Sequence, residues 1–197
     1  MYKSNRKGFT LIELLVVIAI IAVLSVVVIL TLNPAELLRQ ARDSNRISDV
    51  NTVKSAISLY LADAASPAIS STCMISVASG SNSVTCNGRF NGIVASIATS
   101  NNGVFTVAGA GWVPVDFTAI SSGAPIGNLP KDPTNSVGGN ASSGLWYAYI
   151  GSSTPLTFEL NAALESAKYG SGGSSDAENT DGGNYNGAYE TGTALTL

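Results

Sequence analysis

Glu13 is the residue in this chain whose position most needs a chemical explanation. It is the one ionisable side chain in "FTLIELLVVIAIIAVLSVVVILTL", residues 9–32, and it occupies the fifth place of that apolar run. A carboxylate at the centre of a bilayer costs ~2.5–3.5 kcal/mol on insertion scales, so a retained one normally has a partner and a task. Glu13 lies in the first turns, where depth is small and the positive end of a helix dipole lowers the cost. A cation brought to it by a second chain inside the apolar layer would be poorly screened and would fix the register between two helices. Three cations, Lys3, Arg6 and Lys7, and a glycine, Gly8, stand directly before Phe9.

The rest of the sequence offers less reactive chemistry. There is no histidine among the 197 residues, which removes Ser-His-Asp and Cys-His nucleophilic systems and every His-based metal site. No acid/base pair or nucleophile constellation stands out, so an enzyme is not expected. Seven of the ten Lys and Arg lie at or before Lys54, and nine of the thirteen Asp and Glu at or beyond Asp63. The acidic distal part, with only Arg89, Lys131 and Lys168, lacks the clustered cations that phosphate backbones require, so nucleic acid is not a direct partner. Cys73 and Cys86 form either a disulfide, worth roughly 3 kcal/mol in the chain-entropy model, or a pair of free thiols. Asp176, Glu178, Asn179, Asp181 and Asn184 fall within nine residues of the Gly/Ser-rich tail. Such oxygen ligands suit calcium, but the spacing is not an EF-hand, and a mobile solvated loop with no metal or cofactor is the simpler reading.

Residues 9–32 make ~36 Å of helix, enough to cross a hydrocarbon core of ~30 Å. The preceding cations leave the N-terminus in the cytoplasm and direct everything beyond Leu32 outward. The run is longer than the 7–15 apolar residues of a secretory signal and continues into a helical segment. A plain single-span anchor explains everything except Glu13.

"KGFTLIELLVVIAIIAVLSVVVIL" resembles the N-terminal processing and methylation segment of type IV prepilins and pseudopilins. Its features are a short basic leader, glycine, phenylalanine, and an apolar helix with glutamate at the fifth position after the cut. The resemblance implies that residues 1–8 are a cytoplasmic leader and that a prepilin peptidase cleaves between Gly8 and Phe9 and N-methylates the Phe9 amine. It further implies that Glu13 pairs with the Phe9 amine of a neighbouring subunit. Cleavage would itself create the required cation, since an α-amino group with a pKa of ~7.7–8 is largely charged near neutral pH. The partners implied are further copies in a helical filament, the peptidase, the inner-membrane assembly machinery, and lipid before assembly.

Asn33-Pro34 predicts an irregularity: either a kink, or a restarted helix with Asn33 as N-cap and Pro34 at its first position. Over residues 33–62 a second helix follows. Ile47, Val50, Val53, Ile57, Tyr60 and Leu61 form one apolar stripe, while Arg39, Arg42, Asp43, Arg46, Asp49 and Lys54 lie on other faces, open to water or to neighbouring subunits.

Residues 63–197 read as a β-rich head with a loop-rich tail. "FNGIVASIAT" suggests a short helix, and "GVFTVAG", "WVPVDFTAI", "LWYAYI" and "LTFELNAAL" suggest strands. In the last pair, Phe158 and Leu160 alternate with Thr157, Glu159 and Asn161, as in an antiparallel hairpin with one buried face. "NLPKDPTN" is a rigid turn, and a similar Leu-Pro-x-Asp-Pro loop occurs in many pilins and pseudopilins. The expected class is α+β: a long N-terminal helix, membrane-spanning and then amphipathic, packed on an antiparallel sheet.

These readings converge on a pilus subunit, first a single-pass precursor with its N-terminus inside and then part of a surface filament for adhesion, motility or DNA uptake. The alternatives are a pseudopilin of a type II secretion system and a membrane-anchored binding module that never polymerises.

Overall fold

The computed structural model describes residues 8–77, 89–90, 99–100, 104–136 and 144–197. The chain divides into two compact units, Met1–Leu38 and Arg39–Leu197.

The first unit is built on α1, Leu11–Leu32. Leu, Ile, Val and Ala fill it almost without interruption, and every described side chain is exposed. Its stretch Leu11–Ile29, with a mean hydropathy of 3.2, is long and apolar enough to cross a membrane. Asn33 ends α1 in the left-handed conformation, φ 39° and ψ 72°, which asparagine tolerates better than most residues. Its carbonyl then accepts the first hydrogen bonds of α2, from the N–H groups of Glu36 at 2.9 Å and Leu37 at 3.3 Å. Pro34 is the first residue of α2, Pro34–Asp63, a place where its missing N–H leaves nothing unsatisfied.

In the second unit, one face of α2 buries Val50, Val53, Ala56, Ile57 and Tyr60 against a sheet. The described strands are β1 (Met74–Ile75), β2 (Thr99–Ser100), β3 (Tyr147–Ser153), β4 (Leu156–Ala162) and β5 (Tyr189–Gly192), in the order β2-β1-β3-β4-β5. Neighbours from β1 to β5 are antiparallel, and β2 joins β1 in parallel. Tyr147, Tyr149, Phe158, Leu160 and Ala162 meet the α2 stripe in the larger core, each fully buried aliphatic or aromatic side chain contributing roughly 1.5–3 kcal/mol.

Four expectations are corrected here. The β3–β4 hairpin buries both faces: Glu159 and Asn161 are fully buried, and Ala148 and Ile150 pack with Cys73, Ile75, Val77, Phe90 and Trp146 in a second core. Alternation assigned residues to faces correctly, but polarity alone does not reveal whether chain from elsewhere covers the polar face.

The described residues 104–109 of "GVFTVAG" and 112–120 of "WVPVDFTAI" form no strands beyond one bridge, Ala108 to Asp116, and a 3-10 turn at Phe117–Ala119. Pro114 has no N–H for a ladder, and Trp112, Val113, Val115 and Phe117 are all buried in the larger core. Their aromatic and β-branched character signals burial rather than a strand.

The tail beyond Tyr169 is part of the head. It supplies β5 and buries Glu178, Ala188, Glu190 and Thr191. Most of "FNGIVASIAT" lies outside the described residues, although its Thr99 belongs to β2.

The charges of α2 are the fourth correction. Asp43 and Arg46 are fully buried, and Arg42 and Asp49 are half-buried with partners in the head.

Candidate processing and assembly site

The segment that reads as a cleavage site is accessible. Gly8, Phe9 and Thr10 precede α1 and are exposed, Phe9 to 85 %. A Cβ at Gly8 would meet nothing within 4 Å, so the chain's own fold sets no steric requirement for glycine there. The leader cations Lys3, Arg6 and Lys7 lie outside the described residues.

Glu13 has a partner within its own chain. Thr10 is the N-cap of α1, and its backbone N–H and hydroxyl both donate to Glu13 Oε2 at 2.8 Å. The Glu13 N–H donates in return to Thr10 Oγ1 at 3.3 Å. This reciprocal capping box satisfies two of the backbone donors that a helix start leaves open. The Thr-x-x-Glu spacing was present in the sequence, and Thr10 is the residue that the reading missed. The carboxylate is thus held at the exposed, positive end of the helix dipole.

The head's principal polar site is a buried ion cluster that the sequence reading also missed. Arg46 directs five hydrogen bonds to it: Nε to Asp132 Oδ2 at 2.6 Å, Nη2 to Asp132 Oδ1 and Thr134 Oγ1 at 3.1 Å, and Nη1 to Asp43 Oδ1 and Glu165 Oε1 at 2.7 Å. That engages every donor of the guanidinium. Arg42 grips Glu165 through Nε at 2.6 Å and Nη2 at 2.8 Å. The Arg42 bond, and then Arg46, hold the Glu165 carboxyl down at about 2 against the opposing effect of burial. Asp43 also accepts the N–H groups of Glu165 and Ser166.

The turn "LPKDP" docks on this cluster. Leu129 is in the core, the Pro130 carbonyl accepts from Trp112 Nε1 at 3.0 Å, and Asp132 receives Arg46 while accepting the N–H groups of Thr134 and Asn135. No local signal reveals this cluster, since Arg46 is 86 positions from Asp132 and 119 from Glu165. The arrangement joins Asp43 and Arg46 of α2 to the turn at Asp132 and to the segment at Glu165 and Ser166.

The candidate calcium ligands are engaged with the backbone. Asp176 accepts the N–H groups of Gly172, Glu178 and Asn179, Glu178 those of Leu164 and Ser171, and Asp181 those of Gly183 and Glu190. Burial raises Glu178 and Asp181, while the Asn179 side chain and then nearby N–H groups lower Asp176. Among the described residues no three His, Cys, Asp or Glu side chains come together as a metal site. Cys73 is buried and disulfide-bonded; Cys86 lies outside the described residues.

Residues 3–29 match the family model of the prokaryotic N-terminal methylation motif. The chain therefore carries the type IV prepilin signature, on an α+β framework of a long apolar helix, a second helix and a largely antiparallel sheet. The motif supports a pilin- or pseudopilin-like protein, and together with α1 it is consistent with a membrane-anchored precursor. No curated protein and no solved structure matches the chain.

Proposed function

We propose that the chain is a prepilin, cut between Gly8 and Phe9, N-methylated on Phe9, and polymerised into an extracellular filament of the type IV kind. The observation that carries this reading is the motif match over residues 3–29, in which Gly8 and Phe9 are exposed and Glu13 stands at the start of a helix with no buried face. A helix apolar on all sides needs lipid or other apolar helices around it. The filament supplies the second environment once the membrane no longer supplies the first. Glu13 would then exchange its local Thr10 contacts for the new amine of a neighbouring copy.

Mass spectrometry of sheared cell-surface material tests this. The expected result is a chain beginning at Phe9 and carrying one extra methyl group. A chain found only in the membrane fraction and still beginning at Met1 or Tyr2 would overturn the proposal. One beginning at Phe9 but never shed from the cell would favour the pseudopilin reading.

A further inference from the structure

The sheet face opposite α2 carries two carboxyl groups that the filament reading does not use. Glu159 is fully buried and Glu190 is 1 % exposed. Across β4 and β5, Glu159 is paired with Gly192 and Asn161 with Glu190. The two glutamates are therefore diagonal neighbours on one face, a spacing that long side chains bridge. Glu159 Oε2 accepts the Leu197 N–H at 3.0 Å, and Glu190 Oε2 accepts the Tyr185 N–H at 2.8 Å. A Cβ at Gly183 would collide with Glu190 Oε2, so the loop closes tightly over that side chain. Each remaining oxygen, Oε1, is buried and receives no donor, and the register sets the two carboxyl groups side by side on one face.

Among the described residues no cation is paired with either carboxyl group. Asp181, the nearest further acid, accepts the Glu190 N–H at 2.6 Å and adds to the repulsion felt by Glu159. Arg89 accepts from Asn161 Nδ2 through its carbonyl, but its guanidinium donates to the carbonyls of Gly144 and Trp146 and lies over the Trp146 ring. None of the described ion pairs includes Glu159 or Glu190. Two buried carboxylates in contact do not both ionise without a compensating cation.

We propose that Glu159 and Glu190 share one proton at neutral pH between their two unpartnered oxygens, and that this proton fastens β5 and the Leu197 segment to β4. Burial, and then Glu190, push Glu159 upward. Burial raises Glu190 as well, so the proton belongs to the pair. Because the folded chain holds a proton that the unfolded chain releases, stability declines as pH rises above the ordinary glutamate value of about 4.5. The ion cluster has the opposite sign: the stability contributed by depressed Glu165 is present above that value and is lost as pH falls toward about 2. The pair is therefore a latch that mild acid tightens.

Unfolding calorimetry of the full-length protein in detergent, at neutral pH in buffers of different ionisation enthalpy, counts the protons released. Wild type is expected to release about one proton more than Glu159→Gln or Glu190→Gln, and its Tm is expected to fall more steeply than theirs between about pH 5 and about pH 8. Glutamine keeps the shape and supplies an N–H in place of the shared proton, so each variant has the donor it needs to fold. Equal proton release from wild type and variants overturns the proposal. So does a wild-type Tm that rises with calcium and falls with EDTA while the variants respond to neither, since a cation would then stand where the proton is placed. Should neither variant fold, wild-type hydrogen exchange decides. Protection of the Leu197 and Tyr185 amides, corrected for intrinsic rate, should weaken from about pH 5 to about pH 8, and constant protection overturns the latch.

Discussion

α1 and α2 follow one another with only Asn33 between them, yet they meet their polar and apolar requirements from opposite directions. In α1 the single charge is matched three residues away by Thr10, and every described apolar side chain is left exposed. In α2, Asp43 and Arg46 are buried and matched by Asp132, Glu165 and Ser166, far along the chain. The difference is where the missing partner lies. The apolar surface of α1 needs an environment that this chain does not provide, whereas the buried charges of α2, Asp43 and Arg46, are met by the head. Changes in α1 should therefore alter location and assembly while leaving the head's stability unchanged, and changes around Arg46 should do the reverse.

The largest effect is expected at Glu13. Glu13→Ala should abolish recovery of filaments from sheared cells while leaving the urea midpoint of the head unaltered. Glu13→Gln sharpens the comparison, because glutamine also completes a capping box but carries no charge. Loss of filaments in this variant too would assign the defect to charge pairing. Wild-type filament yield from it would show that the cap alone is needed and would remove the pairing mechanism.

Next comes Arg46→Met, which leaves Asp43, Asp132 and part of Glu165 buried without their cation. Stranding buried charges costs about 3–5 kcal/mol, and urea unfolding of the full chain should show it while Phe9 processing continues in any protein that folds. A smaller loss, about 1–3 kcal/mol, is expected for Glu178→Ala, which strands the N–H groups of Leu164 and Ser171. A loss as large as that of Arg46→Met would show that the tail shares the ion cluster's cooperativity. The smallest change is expected at Lys131, exposed in the same turn whose Asp132 is buried. Lys131→Ala should stay within about 0.5 kcal/mol of wild type in the same assay, and a larger shift would mean that the turn is held by more than Asp132.

The N-terminal part was legible because its physics is local. Apolar length, Asn33-Pro34 and the position of Glu13 all act within a few turns of helix. The capping box is equally local, a Thr-x-x-Glu spacing from Thr10 to Glu13. In the head, the β3–β4 hairpin and the α2 stripe were readable from alternation and helical spacing. The strands expected around Trp112 were not, because burial and β-structure favour the same residue types.

The sequence by itself determined an apolar helix with a capped start, a break at Asn33, a second helix with one apolar face, and which hairpin residues share a side. Each of these follows from bonds or spacings within a few residues. Only the tertiary structure decided that Arg46 is interior, that the tail completes the sheet, and that the side bearing Glu159 and Asn161 is covered. Burial of Glu159 and of Arg46 depends on chain arriving from 38 and 119 positions away, and no short-range pattern encodes that arrival.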